Sequence, residues 1–189
     1  MRCDSIAAGS CMPTDTIEIK AYDPDRHLTR AFSCGIERLD NFIKITAKKQ
    51  QKGDMVRVYV AVNPDDDTVL GYSVINVGHI DISDLPTRPK AAPAHGDIPV
   101  LFLSRIATDH RMQGQGIGQI LMIHALEKAR LVALHAGCHA AILDVITDGG
   151  TEAYLKRLHW YQNFGFTSFP SEPTRMFLLM KDIRAMLED

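Results

Sequence analysis

The chain has 189 residues, 46% of them hydrophobic and 23% charged, with a net charge of −2 at neutral pH, a balance that suits one globular domain with a real core and excludes a disordered or fibrous chain. No run approaches the ~20 apolar residues of a membrane span, and the opening stretch lacks the continuous apolar segment of a secretory signal. Cys3, Cys11, Cys34 and Cys138 show no C-x-x-C spacing and the eight histidines form no H-E-x-x-H pair, so neither a metal site nor a disulfide framework is expected and a reducing cytosol fits.

Residues 1–15 read as a loose tail before a single domain spanning 16–189. Residues 16–21 (TIEIKA) alternate apolar and polar side chains as a half-buried strand does, and Tyr22-Asp23-Pro24-Asp25 supplies a turn. Residues 33–51 then place Ile36, Leu39, Phe42, Ile43 and Ala47 on one helical face. Lys44, Lys48, Lys49 and Lys52 gather at the end of that helix, where they either complement its dipole or present a patch to phosphates.

Residues 55–63 and 69–77 are two β-rich runs on either side of Pro64-Asp65-Asp66-Asp67-Thr68, the pattern of an antiparallel hairpin. Gly71 and Tyr72 inside the second run point to a bulge or a close approach. Residues 84–99 are rich in proline, carry Arg88, Lys90 and His95, and read as a loop between two strands, a candidate border of a site.

The most informative stretch follows. Residues 100–107 are apolar except Ser104 and Arg105 and read as a buried strand, which Asp109 and His110 end. Gly114, Gly116 and Gly118 come next, and Ile117, Ile120, Leu121, Ala125, Leu126, Leu131, Val132 and Leu134 recur at helical spacing up to a stop at Gly137. Glycines therefore sit at a helix start, where four unpaired N–H groups and about half a positive charge favour phosphate oxygens. A Walker A loop is excluded because Gln119 follows Gly118. The dinucleotide fingerprint is excluded because the spacing is G-x-G-x-G and no acidic residue closes a second strand about 20 residues on.

Residues 140–145 read as a strand, Thr147-Asp148-Gly149-Gly150 as its connection, and residues 151–163 as a helix bearing Lys156, Arg157 and His159. A last strand over 176–180 leads into a short helix around 183–187. His124, His135 and His139 are read as packing or surface residues rather than ligands. The order β α β β β α β α β mixes an antiparallel first half with strand-helix-strand crossovers.

Gln113-Gly114-Gln115-Gly116-Ile117-Gly118 resembles the Q-x-x-G-x-G acetyl-CoA signature of the GNAT superfamily of N-acetyltransferases, and Trp160-Tyr161-Gln162-Asn163-Phe164-Gly165-Phe166 resembles the Y-x-x-x-G-F segment that follows it. The resemblance implies an α/β GNAT fold: three layers, α/β/α, around a mixed, centrally splayed sheet. It implies that the backbone of Ile106, Ala107 and Thr108 pairs with the pantetheine arm of acetyl-CoA. It also places the pyrophosphate on the N–H groups from Gln113 to Gly118, Gln115 and Ile117 included, and makes Tyr161 the proton donor to the leaving thiolate. A phenol with a pKa of about 10 can protonate such a thiolate. Asp144 and Asp148 are candidate bases, although both are equally natural at a strand end and in a turn. Tyr154 and Arg157 stand where relatives often have Asn and Ala, a departure on the cofactor side of the helix.

Ser33 to Ile43, Val69 to Ser73 and Ile98 to Asp109 together resemble the GNAT toxins of toxin-antitoxin pairs, which acetylate the amino group of aminoacyl-tRNA. That resemblance implies tRNA and an antitoxin protein as partners, a cytoplasmic location and a homodimer. An acidic net charge weighs against a broad nucleic-acid footprint. A local patch from Lys44, Lys48, Lys49, Lys52, Arg57, Arg88, Lys90, Lys156 and Arg157 stays open. The alternatives are acetylation of a small-molecule or protein amine, and a non-catalytic CoA-binding module.

Overall fold

Seven strands form one sheet in the order β1-β2-β3-β4-β5-β7-β6, in a computed structural model that describes residues 17–87, 89, 92 and 96–188. The strands are β1 (Glu18–Ala21), β2 (Arg57–Val62), β3 (Val69–Asp81), β4 (Asp97–Thr108), β5 (Ala140–Asp144), β6 (Thr167–Ser168) and β7 (Arg175–Leu179). Only β4 and β5 run parallel, and every other neighbouring pair is antiparallel. The tail expected at residues 1–15 lies outside the described residues, as do Arg88, Lys90 and His95 of the proline-rich loop.

One face of the sheet carries α3 (Ile117–His135), α4 (Gly150–Gln162) and α5 (Met180–Glu188). The apolar stripe read from the sequence points inward: Ile117, Leu121, Met122, Ala125, Leu126 and Ala129 of α3 are all buried. Met122, Ala125 and Leu126 join Leu101, Leu103, Leu143, Met176 and Ile183 in the largest core cluster, which also takes in Tyr161 and Phe166. Gly71 explains how α3 comes so near β3, since a Cβ there would meet Ile117 Cγ2 at 2.8 Å and Leu121 Cδ1 at 2.9 Å. The glycine serves close packing, one of the two roles expected of it.

The other face holds α1 (Glu37–Asn41) and α2 (Ala47–Lys52), joined by a π-helical turn over Phe42–Thr46. That turn buries Phe42 and Ile43 together against Tyr72, whose hydroxyl donates to the Leu39 carbonyl at 2.8 Å. The helix starts at Glu37, four residues later than expected. Asp40 instead accepts the Cys34 N–H at 2.7 Å and the Ser33 hydroxyl at 2.9 Å, which holds the preceding residues in a non-helical turn through Gly35 at φ +86°. The two-residue β6 was not foreseen, because so short an edge strand has no period to read.

Candidate active site

β4 pairs with β5 only at Val100, Leu101 and Phe102, opposite Ala140, Ala141 and Ile142. Past that point the strands part, while β4 continues bonding to β3 as far as Thr108 opposite Gly71. The parting coincides with a bulge at Ser104, where the β3 register jumps from Arg105 to Leu103 and the Ser104 hydroxyl donates to the Val74 carbonyl at 3.2 Å. The extra residue flips the alternation of the strand. Leu103 and Ile106 both serve the α3 face, whereas Ala107 serves the α1 face. Backbone groups of β4 beyond the bulge thus face a gap, where they can bond an extended amide-bearing ligand. Ile106, Ala107 and Thr108 lie on β4 beyond its pairing with β5.

A cavity of about 110 Å³ opens at the splay, lined by Arg38 and Leu39 of α1, Leu103 to Ile106 of β4, Asp144 and Ile146 at the end of β5, and Tyr161 of α4. Tyr161 is 8% exposed. Burial pushes its phenol up to about 12, with the Arg157 charge acting in the opposite sense. Its ring packs edge-on against Trp160, centroid to centroid 5.0 Å. A protonated phenol therefore faces a small polar notch at every ordinary pH.

The glycine loop lies at the far end of this edge. Asp109, with no solvent exposure, takes the Arg111 guanidinium in a two-point contact of 2.8 and 2.9 Å and accepts the Ser33 and Arg111 N–H groups. Desolvation raises its carboxyl, but these donors outweigh burial and hold it below the usual carboxylate range. His110 N–H donates to the Ser33 carbonyl at 2.7 Å. Gln113 turns its side chain inward, donating to the carbonyls of Cys34 and Thr108 at 3.2 Å each. The glutamine is a strut, and the N–H groups beyond it form the cradle. Gly114 and Gly116 have φ of +79° and +83°, and Gly116 caps α3 with no side-chain partner for the helix N–H groups. At Gly118 a Cβ would lie in ordinary contact, 3.4 Å from the Trp160 ring and 3.6 Å from Thr108 Oγ1, so a larger side chain rather than a methyl would crowd the site.

Neither candidate base is free. Asp144 is bound by both nitrogens of the Arg175 fork at 2.8 and 3.1 Å, and Asp148 by Arg38 at 2.5 Å. The Arg38 hydrogen bond holds the Asp148 carboxyl below the usual range. The proposed basic patch is also partly used up: Lys48 pairs with Asp25 and Arg57 with Asp54, each at 2.7 Å, while Arg157 donates to the carbonyls of Ile146 and Asp148. The cations at the notch are Arg38 and Arg105, the latter stacked 4.1 Å over the Phe42 ring. Sequence reasoning missed this pair. The signal was present in Ser104-Arg105, the polar interruption of an otherwise apolar strand.

A splayed strand edge, a glycine-lined helix start without a side-chain cap and a buried phenol at the splay are features that acyl transfer from a nucleotide thioester could use. The chain belongs to the GNAT acetyltransferase family, whose "Acetyltransferase (GNAT) domain" model matches residues 54–168. It is therefore an acetyl-CoA-dependent N-acetyltransferase acting on a primary amine. It is 40% identical over 170 residues to a Sinorhizobium fredii protein named "Probable toxin TacT", covering 89% of this chain and 94% of that one. It is 28% identical to a Mycobacterium tuberculosis "tRNA-acetylating toxin", covering 90% of this chain and all of the relative. Among solved structures, a tyrosine-to-phenylalanine variant of KacT shares the fold at a TM-score of 0.80 and 24% identity, over 90% of this chain and 99% of that one. AtaT complexed with acetyl-methionyl-tRNAfMet does so at 0.79 and 24%, over 90% and 98%. AtaTR bound with acetyl-CoA does so at 0.75 and 25%, over 92% and 99%. Among the described residues, no group of three His, Cys, Asp or Glu could hold a metal ion, and no helix is long and apolar enough to cross a membrane.

Proposed function

We propose that this enzyme acetylates the α-amino group of aminoacyl-tRNA, with Tyr161 as proton donor and with acetyl-CoA held by the β4 edge at Ile106 to Thr108 and by the N–H groups of the Gln113 to Gly118 loop. The observation that carries the reading is the charge of the notch: the Arg105 guanidinium, stacked on Phe42 and without a carboxylate partner among the described residues, stands beside Arg38 paired with Asp148 and Asp144 bound to Arg175. Such a lining disfavours an ammonium ion and offers no free base to deprotonate one. An acceptor with a lysine-like pKa of about 10.4 would arrive almost wholly charged and unreactive, whereas an α-amino group, at about 7.7 to 8.0 at a chain terminus, is neutral in a far larger fraction. The same lining attracts a polyanion.

The relatives support the acceptor. One is named for tRNA acetylation, and a fold neighbour was solved with acetyl-methionyl-tRNAfMet. Another neighbour was solved bound to the C-terminus of its antitoxin AtaR, so an antitoxin is the expected protein partner. Acetyl-CoA, charged tRNA and the free thiols of Cys34 and Cys138 together favour a cytoplasmic location. The test is incubation with labelled acetyl-CoA and charged total tRNA. Label on the aminoacyl end is expected. Unlabelled tRNA beside an acetylated polyamine, free amino acid or peptide would overturn the acceptor and leave the transferase.

A further inference from the structure

Arg157 stands one helical turn before Tyr161, so the two side chains share a face of α4. Its guanidinium crosses to the chain leaving β5 and donates to the carbonyl of Ile146 at 3.1 Å and of Asp148 at 2.6 Å. Ile146 lines the same notch as Tyr161, and Asp148 lines an adjoining cleft with Arg157 itself. The side chain thus fastens one wall of the notch to the helix that carries the phenol. Both its anchors are neutral carbonyls, so it makes no direct ion pair of the kind Arg175 makes with Asp144, and its charge is shared with the nearby Asp148 carboxylate, which Arg38 also holds.

We propose that Arg157 is the positioning residue for Tyr161 in acetyl transfer: it ties the Ile146 to Asp148 wall to α4 and sets a positive charge on the face of the helix that presents the phenol. The proposal rests on the reading of Tyr161 as proton donor. The charge has a purpose in the step. The neutral amine forms the C–N bond, the C–S bond breaks, and Tyr161 passes its proton to the departing sulfur; the surplus proton on nitrogen then returns through water to the phenolate. Atoms and charges balance, and the only new charge on the protein is the transient phenolate. Burial opposes that phenolate, pushing the phenol up to about 12, and Arg157 acts in the opposing sense. Other charged groups around the notch are Arg38, held by Asp148, Asp144, held by Arg175, and Arg105, over Phe42. The aromatic neighbours of Tyr161, Trp160 and Phe166, carry no charge.

The test uses Arg157→Gln, which is neutral yet can still donate to a carbonyl, and Arg157→Lys, which restores the charge. Tyr161 is replaced by difluorotyrosine, whose phenol ionises in an accessible range and is followed by fluorine NMR in the full-length protein. Arg157→Gln is expected to raise the midpoint by about one pH unit and Arg157→Lys to return most of it. In the unlabelled enzyme Arg157→Gln is expected to lower kcat about tenfold while the KM for acetyl-CoA changes less than twofold. An unchanged midpoint, or a loss carried wholly in KM, overturns the proposal. Tyr161→Phe separates the failures: full turnover in that variant overturns the proton-donor reading, and the fluorine titration still reports whether Arg157 acts on residue 161.

Discussion

Asp109 and Arg111, two residues apart, close on each other through a two-point ion pair that also captures the Ser33 N–H, and so the end of β4, the glycine loop and the turn before α1 are fixed by one buried carboxylate. The glycine loop, proposed above to hold the pyrophosphate, is thus fixed by contacts to Ser33 and Arg111. Asp109→Asn keeps the size but loses the charge, and is expected to cost about 1–3 kcal/mol in chemical denaturation and to weaken acetyl-CoA binding. The carboxyl lies below its usual value when folded, so its contribution is present above about pH 4 and is lost as pH falls through the folded value. Acid unfolding of the wild type should therefore be steeper than that of Asp109→Asn, and parallel curves would refute the assignment.

Tyr161→Phe is expected to lower kcat about 100-fold or more with acetyl-CoA affinity retained, measured by turnover and calorimetry. Because burial holds the phenol up near 12, the pH profile of kcat should show no alkaline fall due to this residue up to pH 9. A fall in that range that vanishes in Tyr161→Phe would contradict the assignment.

Trp160 is the single tryptophan of the chain, and its ring borders Gly118 at the start of α3. Its fluorescence should change when acetyl-CoA binds, and the midpoint should match the calorimetric Kd. Gly118→Glu brings a side chain against the indole and a carboxylate to the phosphate cradle, so binding should be lost while circular dichroism is kept. Wild-type affinity in that variant would remove Gly118 from the site.

Gly71→Val offers a test at a distance. Its Cβ would fall 3.1 Å from the Ala107 carbonyl and under 3 Å from Ile117 and Leu121, so either α3 lifts or the strand shifts. A loss of about 1–3 kcal/mol in stability is expected, together with weaker acetyl-CoA binding because the displaced helix start carries the cradle. Unaltered binding at reduced stability would mean that α3 yields only in its side chains.

Arg105→Met should reduce acetylation of aminoacyl-tRNA about tenfold or more while leaving acetyl-CoA binding within a factor of two, measured with charged tRNA and by calorimetry. Greater activity on a lysine-like amine in the same variant would show that the guanidinium rejects ammonium ions. Equal losses on tRNA and on small amines would place Arg105 in the fold instead.

The sequence by itself determined the parts whose signal is local. The apolar strand, the G-x-G-x-G run after it and the apolar helix that follows each come from chain-neighbour rules of period and helix start, and the strand-helix-strand order fixed the layers, whereas Tyr161 before Gly165-Phe166 is singled out by resemblance to the family. Tertiary structure alone decided what depends on residues far apart in the chain. Gln113 belongs to the loop by sequence, yet its amide is spent on Cys34 and Thr108, 79 and 5 residues away. Asp144 and Asp148 could have been bases until Arg175 and Arg38 were found on them, 31 and 110 residues distant. Ser104 and Arg105 looked like blemishes in a strand until the bulge made one the pivot of the splay and set the other over Phe42 at the notch. Charge pairing and strand register are set by groups that meet only after folding, and no periodicity along the chain encodes which carboxylate will be left without a partner.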